Sequence, residues 1–141
     1  MAHDTQGQAM TTREKIEQAL EKLPELTAYG VGIFEHGRGL SMQEAKKEAT
    51  KYRENLLNDV KDFEKICEWL KAIEKTPTIN TTHTSYELKH IAERHVGYST
   101  NGTFIAAAIY SDFTFKVETG SPNVMFGMST KSLKMQQLRC R

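Results

Sequence analysis

Apolar residues recur at helical intervals along much of this chain, and three of these stretches begin with the same local signal. In each of them a Ser or Thr is followed three residues later by Glu. This pattern is a capping box, in which each side chain accepts a hydrogen bond from the backbone N–H group of the other residue. The sequence therefore predicts three helix starts, at the pairs Thr11 and Glu14, Ser41 and Glu44, and Thr84 and Glu87.

The first helix is predicted from residue 12 to about residue 23. Pro24 follows it and ends it, because proline has no N–H group to continue the helical hydrogen bonds. Residues 24–40 contain four glycines, and within them the β-favouring stretch 27–34 predicts either a short strand or an ordered loop. The apolar stripe of this helix consists of Ile16, Ala19, Leu20 and Leu23.

The second predicted helix is long, from residue 42 to about residue 75. Its apolar residues recur at steps of three and four, which is close to the heptad spacing of paired helices. Asn55 and Asn58 mark where it would break if it were two helices, because Asn lowers helix propensity. A helix of this length in a small protein must lie along the whole body or pair with another chain. Pairing would use a candidate self-association face formed by Tyr52, Leu56, Phe63, Trp69 and Leu70.

The C-terminal half combines further helices with a predicted β-hairpin. The polar stretch 76–83 contains Pro77 and is the candidate sub-boundary within the chain. A helix is predicted from residue 85 to residue 96, where Gly97 would end it as a left-handed cap. It is followed by a helix to about residue 113, two short strands at 114–118 and 124–128 around a Gly-Ser-Pro-Asn turn, and a short basic helix from residue 129.

These elements predict a mainly α fold with four to five helices, one of them long, and a small β-hairpin near the C-terminus. Residues 1–10 are expected to form a disordered extension and residues 11–141 a single domain. The chain has 141 residues, of which 38% are hydrophobic and 26% charged. This composition excludes collagen-like, low-complexity and wholly disordered chains. The formal net charge of +1 gives no global field that would indicate a nucleic acid or membrane partner.

Neither the cysteines nor the apolar runs indicate secretion or a membrane. Cys67 and Cys140 are widely spaced and do not make the disulfide framework of a small secreted protein. The first ten residues lack the apolar core of a signal peptide. No stretch approaches the roughly 18 apolar residues of a membrane span. We therefore expect a cytoplasmic protein without a membrane partner.

No residue pattern in the chain predicts a catalytic, cofactor or metal site. His90 and His95 are five residues apart, so they lie on different helix faces, unlike the zinc-binding pair of H-E-x-x-H. Cys67 lies on an apolar stripe, where a thiol usually serves packing. The glycine-rich segment after the first helix lacks the Lys-Ser/Thr of a phosphate-binding loop. An anion or small-molecule site there, built on Arg38 and His36, is the least favoured alternative.

The segment 85–113 is predicted as helix, tight turn and helix, followed by two strands, which is also the order of a winged helix-turn-helix. The second helix of that motif needs donors and cations that reach base edges and phosphates. Here it contains no Lys, Arg or Gln and is apolar nearly all round, which favours a place in the core. Only the free amides at its N-terminus could meet a phosphate. The candidate nucleic-acid contacts are Lys89, Arg94, Ser99, Thr100, Asn101, Lys116, Lys131 and Lys134.

The stretch TSYxLKHxxE…GYxxNGxFIAAA, between residues 84 and 108, resembles a pattern of small uncharacterised bacterial proteins of mobile elements. Such proteins are carried on plasmids, prophages or integron-type cassettes. The resemblance implies an accessory bacterial gene, and accessory genes often encode regulators, antitoxins and other interaction proteins. It implies no activity, cofactor or catalytic residue.

The sequence thus leads to two functional hypotheses from different classes. The first is a non-enzymatic protein-interaction module that self-associates as a homodimer and binds a further protein partner. The alternative is a DNA-binding accessory or regulatory protein that uses the helix-turn-helix-like segment 85–113 with the hairpin as its wing. Both hypotheses require an exposed binding surface. They differ in which side chains the fold must leave accessible.

Overall fold

The computed structural model describes residues 10–32 and 41–139, and these form a mainly α fold with two small antiparallel sheets. Residues 1–9 of the expected extension lie outside the described ranges. None of the described helices combines the length and apolarity needed to cross a membrane. The helices of the described ranges are α1 (Thr12–Lys22), α2 (Met42–Leu57), α3 (Val60–Leu70), α4 (Ser85–Val96), α5 (Asn101–Tyr110) and α6 (Thr130–Arg139). The strands are β1 (Leu26–Thr27), β2 (Gly30–Val31), β3 (Lys75–Asn80), β4 (Phe115–Val117) and β5 (Val124–Met128).

Local capping explains where three of the helices begin, as predicted. At the start of α1, Thr11 Oγ1 accepts a hydrogen bond from the Glu14 N–H group at 3.1 Å. In return, Glu14 Oε1 accepts one from the Thr11 N–H group at 2.8 Å. Two N–H groups that have no partner inside the helix are satisfied in this way. The boxes that begin α2 and α4 pair Ser41 with Glu44 and Thr84 with Glu87.

The predicted long helix is wrong, because α2 and α3 are separated by a break at Asn58 and Asp59. Asn and Asp favour such a break because their side chains compete for hydrogen bonds with the helical backbone. Both side chains also accept hydrogen bonds from residues outside α2 and α3. Asn58 Oδ1 accepts from Arg13 Nη1 at 2.9 Å, and Asp59 Oδ2 accepts from Thr103 Oγ1 at 2.6 Å. The break lets α2 pack against β1 while α3 packs against α5.

The two strands predicted for the C-terminal hairpin form β4 and β5, but they are part of a larger sheet rather than a clear hairpin. β4 and β5 are antiparallel neighbours, with Phe115 opposite Phe126, but β5 is the central strand of a sheet in the order β3-β5-β4. The third strand, β3, occupies most of the stretch that was expected to be a polar linker. Its Pro77 is tolerated because β3 is an edge strand, where one missing N–H donor breaks no central ladder.

α5 is the helix around which the fold is built. Its residues 101–109 are all buried, and α1, α3 and α4 pack against it. At its start, the Gly102 N–H group donates to the Ala28 carbonyl at 2.9 Å. A Cβ atom on Gly102 would lie 1.9 Å from the Thr27 carbonyl oxygen, so a larger residue does not fit without displacement. This contact holds the β1–β2 turn against the beginning of α5.

Candidate functional site

A groove of about 790 Å³ opens where the α2–α3 junction, α4, the start of α5 and two turns meet. Four tyrosines form its walls, and we call it the tyrosine groove: they are Tyr29, Tyr52, Tyr86 and Tyr98. Three of them are more than half exposed, at 53% for Tyr29, 51% for Tyr86 and 72% for Tyr98. Its polar lining includes Asp59, Lys89, Glu93 and Asn101. The groove therefore combines exposed ring faces with charged and polar groups.

Lys89 is the buried cation of the tyrosine groove. The residue is only 3% exposed, and its ammonium group donates to Glu93 Oε2 at 2.6 Å. The two residues are four apart on α4, which places them one above the other on the same helix face. The Lys89 Nζ atom also lies 5.0 Å from the ring centroids of both Tyr86 and Tyr98. Lys89 is thus not the surface cation that the DNA-binding hypothesis requires.

Glu93 anchors both this cation and the turn before α5. Its Oε2 atom accepts from the Ser99 N–H group at 3.3 Å, and its Oε1 atom lies 3.1 Å from His90 Nδ1. Burial alone would raise the pKa of Glu93, but the hydrogen bonds from Lys89, Ser99 and His90 outweigh it and hold the pKa below its ordinary value. The carboxylate is therefore charged at neutral pH, and both of its oxygens are engaged.

Asn101 supplies a buried polar atom that the protein leaves open. Its side-chain Nδ2 atom is within hydrogen-bond distance of the Tyr29 carbonyl (3.3 Å), the Pro122 carbonyl (3.4 Å) and Asn123 Oδ1 (3.1 Å). The residue is 9% exposed, yet its Oδ1 atom has no hydrogen-bond partner in the described part of the chain. Leaving such an acceptor without a partner costs about 1–3 kcal/mol. Asn101 therefore belongs to the groove lining and contains a buried acceptor without a protein partner in the described part of the chain.

A chain of hydroxyl groups ends on Asp59 at the α2–α3 junction. Thr103 Oγ1 donates to Asp59 Oδ2 at 2.6 Å and lies 2.8 Å from Thr100 Oγ1. Because a hydroxyl has one hydrogen to donate, the Thr100 hydroxyl must be the donor to Thr103. Nearby, burial together with the negative charge of Asp59 raises the pKa of Asp62. The two aspartates concentrate negative charge at this end of the groove.

The start of α5 is not the anion site that its sequence suggested. The Gly102 N–H group donates to the Ala28 carbonyl at 2.9 Å, and the Thr103 N–H group donates to Thr100 Oγ1 at 3.1 Å. A phosphate needs free N–H groups at a helix N-terminus. Here the protein's own acceptors already engage these amides, because the β1–β2 turn packs directly on the helix start.

The candidate nucleic-acid contacts fall into two groups in the structure. Lys89, Ser99 and Asn101 are buried, at 3%, 2% and 9% exposure, and Thr100 is partly buried at the N-cap of α5. The remaining four are exposed and lie on three different elements. The second helix of the motif, α5, is enclosed by other helices, so it is not available to enter a major groove in this conformation. The exposed cations are Arg94 on α4, Lys116 on β4, and Lys131 and Lys134 on α6.

The candidate self-association face is mostly core, which corrects the expectation that a second copy must cover it. Leu56 and Phe63 are 0% exposed, Leu70 2% and Trp69 7%; Tyr52 is partly buried and belongs to the tyrosine groove. The break between α2 and α3 turns this stripe into the chain's own interior. Trp69 there donates from Nε1 to Gln136 Oε1 at 3.0 Å.

A second groove, of about 660 Å³, lies beside the C-terminal end of α5, and we call it the cysteine groove. Its floor is apolar around Phe63, Leu70 and Phe113. Burial raises the pKa of the Cys67 thiol there to about 11, against a smaller lowering effect of a hydrogen bond with Ser111. A thiol with such a pKa is neither a nucleophile nor a metal ligand at neutral pH.

The described residues contain no group of three or more His, Cys, Asp or Glu side chains that could hold a metal ion. His36 and Arg38, on which the least favoured alternative rested, lie outside the described residues, and so does Cys140.

Comparisons with known proteins add no further constraint. No protein-family model, no curated protein and no solved structure matches this chain. The candidate site therefore rests on its own geometry.

Sequence reasoning named four residues of the groove but gave them different roles; they are Tyr52, Lys89, Thr100 and Asn101. It missed the other three tyrosines, Asp59 and Glu93. A signal was present in the stretch TSYxLKHxxE…GYxxNG, because it contains two pairs of residues four apart on one helix. These pairs are Tyr86 with His90 and Lys89 with Glu93. Side chains at this spacing lie on the same helix face, so the pattern predicts one polar face with aromatic flanks.

Proposed function

We propose that this protein is a non-enzymatic binding protein and that the tyrosine groove is its binding site. The observation that carries the proposal is the buried Oδ1 atom of Asn101, which has no hydrogen-bond partner in the described part of the chain and belongs to a residue that lines a groove of ligand-sized volume. Buried polar atoms in native proteins almost always have a partner, so an exception calls for an ordered water, an ion or a ligand. Exposed tyrosines beside it fit ligand recognition, since mostly apolar walls with a few placed polar groups are typical of ligand sites.

Binding rather than catalysis is favoured by how the reactive groups are held. The Lys89 ammonium bonds Glu93 and contacts two tyrosine rings, so it is not free to attack a substrate. Burial keeps the Cys67 thiol protonated, and this group lies in the other groove. The free thiol also agrees with a reducing cytoplasm as the place of action.

The proposal is tested by a thermal-shift screen of a metabolite and dipeptide library against the full chain. Ligands of the tyrosine groove should raise the melting temperature of the wild type, because they bind only the folded state. Tyr98→Ala removes a side chain that is 72% exposed, so the variant should fold and lose most of this shift. Leu138→Ala, at a residue that is 58% exposed on α6, is the matched control and should keep it. A library without any stabilising compound, or hits insensitive to Tyr98→Ala, would argue against the groove.

Self-association remains a second candidate function, carried by a different surface from the one that the sequence suggested. Tyr29, Tyr86 and Tyr98 form an exposed aromatic rim around the groove, and exposed tyrosines are enriched at protein interfaces. We expect light scattering to give a dimer mass, with the double variant Tyr86→Ala/Tyr98→Ala shifted to the monomer. A monomer mass for the wild type at high concentration would exclude this candidate.

A further inference from the structure

We infer that the ligand of the tyrosine groove is a small organic cation with N–H donors, such as a guanidinium or an alkylammonium group. The inference rests on the proposed function and adds the chemical class of the ligand. Three properties of the groove support it. They are the acceptors that the protein does not fully use, the net charge of the lining, and the aromatic rings of the walls.

Two residues of the groove lining, Asn101 and Asp59, have oxygen acceptors that the protein does not fully use. Asn101 Oδ1 has no partner in the described part of the chain, whereas its Nδ2 atom faces three acceptors. The Asp59 carboxylate accepts from Thr103 and is hydrogen-bonded with the Asp62 side chain, and none of the described cations forms an ion pair with it. An ionised carboxylate can accept several hydrogen bonds. A ligand that completes this site must therefore donate.

The lysine of the groove and the two backbone amides beside Asn101 already donate to or contact groups of the protein. One N–H of Lys89 bonds Glu93 at 2.6 Å, and its ammonium group is within cation–π distance of the Tyr86 and Tyr98 rings. The Gly102 and Thr103 amides at the start of α5 bond protein acceptors. An anionic ligand would thus find no free donor among these groups.

The uncompensated charge of the groove is negative. Lys89 and Glu93 cancel each other at hydrogen-bond distance, which leaves Asp59 as the remaining charged group of the lining, with Asp62 beside it. His90 faces Glu93 and the Tyr86 ring rather than Asp59. A cation close to Asp59 would gain an attraction that a neutral ligand of the same shape would not.

The walls of the groove suit a cation as well. Tyr29 and Tyr52 lie with their ring centroids 4.3 Å apart and their hydroxyl groups 3.5 Å apart. Ring faces attract ammonium and guanidinium groups through their negative quadrupole. Tyr86 and Tyr98 already make this kind of contact with the chain's own lysine.

The test is a calorimetric titration of the full chain with three probes of similar size. These are N-acetyl-arginine amide, N-acetyl-citrulline amide, which has nearly the same shape without the charge, and N-acetyl-glutamate amide. We expect the arginine probe to bind about tenfold more tightly than the citrulline probe, since one charge-assisted contact of this kind corresponds to such a factor. The glutamate probe should not bind.

Two variants connect this preference to the groove. Asp59→Asn keeps an acceptor for Thr103 and should remove the preference for the arginine probe. Asn55→Asp adds a carboxylate at an exposed position of the lining and should tighten arginine binding about two- to threefold, while the citrulline affinity stays unchanged. Asp112→Asn makes the same charge change as Asp59→Asn outside the groove. It should have no effect, and Asn tolerates the positive φ of 71° at that position.

The outcomes separate this inference from the proposed function. Equal or tighter binding of the citrulline or glutamate probe at the groove would overturn the cationic class while leaving the groove as a binding site. If no probe binds, the cationic class is likewise overturned, and the library screen decides whether the groove binds anything. If Asp59→Asn fails to fold, Asn55→Asp alone decides, because unchanged arginine affinity in that variant contradicts the inference.

Discussion

The two grooves of this protein are similar in size, about 790 and about 660 Å³, but only the first has the features of a binding site. Both place lysine ammonium groups over aromatic rings, at 5.0 Å for Lys89 in the tyrosine groove and 5.4 Å for Lys75 in the cysteine groove. Lys89 is buried and paired with a carboxylate, whereas Lys75 is exposed. The cysteine groove has an apolar floor, and its thiol is held in the protonated state.

The difference shows that concavity is a weaker indicator of function than buried polarity. The cysteine groove also has charged lining residues, but four of them are exposed: Glu64, Glu68, Lys71 and Lys75. A buried ion pair beside an open acceptor destabilises the free protein unless each group finds a partner.

The largest effect is expected when the buried ion pair is broken. Lys89→Met leaves Glu93 charged, partly buried and without its main partner, which should lower the free energy of unfolding by about 3 kcal/mol, the lower end of the range for a broken buried pair. Lys75→Met makes the same change at the exposed lysine of the cysteine groove and should cost less than about 1 kcal/mol. Urea unfolding of both variants checks this. Equal losses in the two grooves would contradict the contrast.

The next effect concerns the reactivity of the Cys67 thiol in the cysteine groove. With a pKa of about 11, Cys67 should be alkylated by iodoacetamide about 100-fold more slowly at pH 8 than an unperturbed thiol, because only the thiolate reacts. The rate should keep rising as the pH approaches that pKa. The Cys140→Ser variant isolates Cys67, and a small thiol peptide serves as the reference. A reaction as fast as that of the peptide would show that the groove contains an activated cysteine.

A smaller effect is expected at the contact that shapes the tyrosine groove. Gly102→Ala would place Cβ 1.9 Å from the Thr27 carbonyl oxygen and should cost about 2–3 kcal/mol through overpacking. Gly97→Ala is a useful control, because no atom lies within 4 Å of its Cβ position and only its positive φ of 91° opposes the change. That backbone strain costs about 1 kcal/mol. Thermal unfolding that ranks Gly97→Ala as the worse variant would contradict the close approach.

The smallest effect is a pH dependence of stability from Glu93. Its pKa is lower in the folded state than its ordinary value of 4.5, so its contribution is fully present above that value. The contribution is lost as the pH falls through the lowered pKa. We expect the unfolding free energy of the wild type to decline below pH 4.5 more steeply than that of Glu93→Gln, as urea titrations at several pH values would measure. Parallel curves for the two proteins would show that Glu93 contributes no such dependence.

Elements with a complete local signal could be predicted from the sequence. The starts of α1, α2 and α4 follow from capping boxes, which depend on two residues three apart. The core position of α5 followed from its lack of polar side chains. These features need no knowledge of distant parts of the chain.

Features fixed by distant contacts could not be settled from the sequence. Asn58 marked a place where the long helix would break if it were two helices, but the contacts that hold the break come from Arg13 and Thr103, 45 and 44 residues away in the chain. β3 has a polar sequence with a proline, and only its pairing with β5 makes it a strand. The tyrosine groove combines Tyr29 with side chains from four later segments, so only the motif around α4 pointed toward it.

Chemical-shift mapping by NMR with the arginine probe on isotope-labelled protein tests most directly whether the tyrosine groove is the binding site. We expect the signals of the Asn101 side-chain amide and of the Tyr29 and Tyr98 backbone amides to shift as the probe concentration rises. Signals around the cysteine groove, from Ser111 and Phe113, should stay in place. Shifts confined to Ser111 and Phe113, with Asn101 unchanged, would contradict the central claim that buried polarity marks the binding site of this protein.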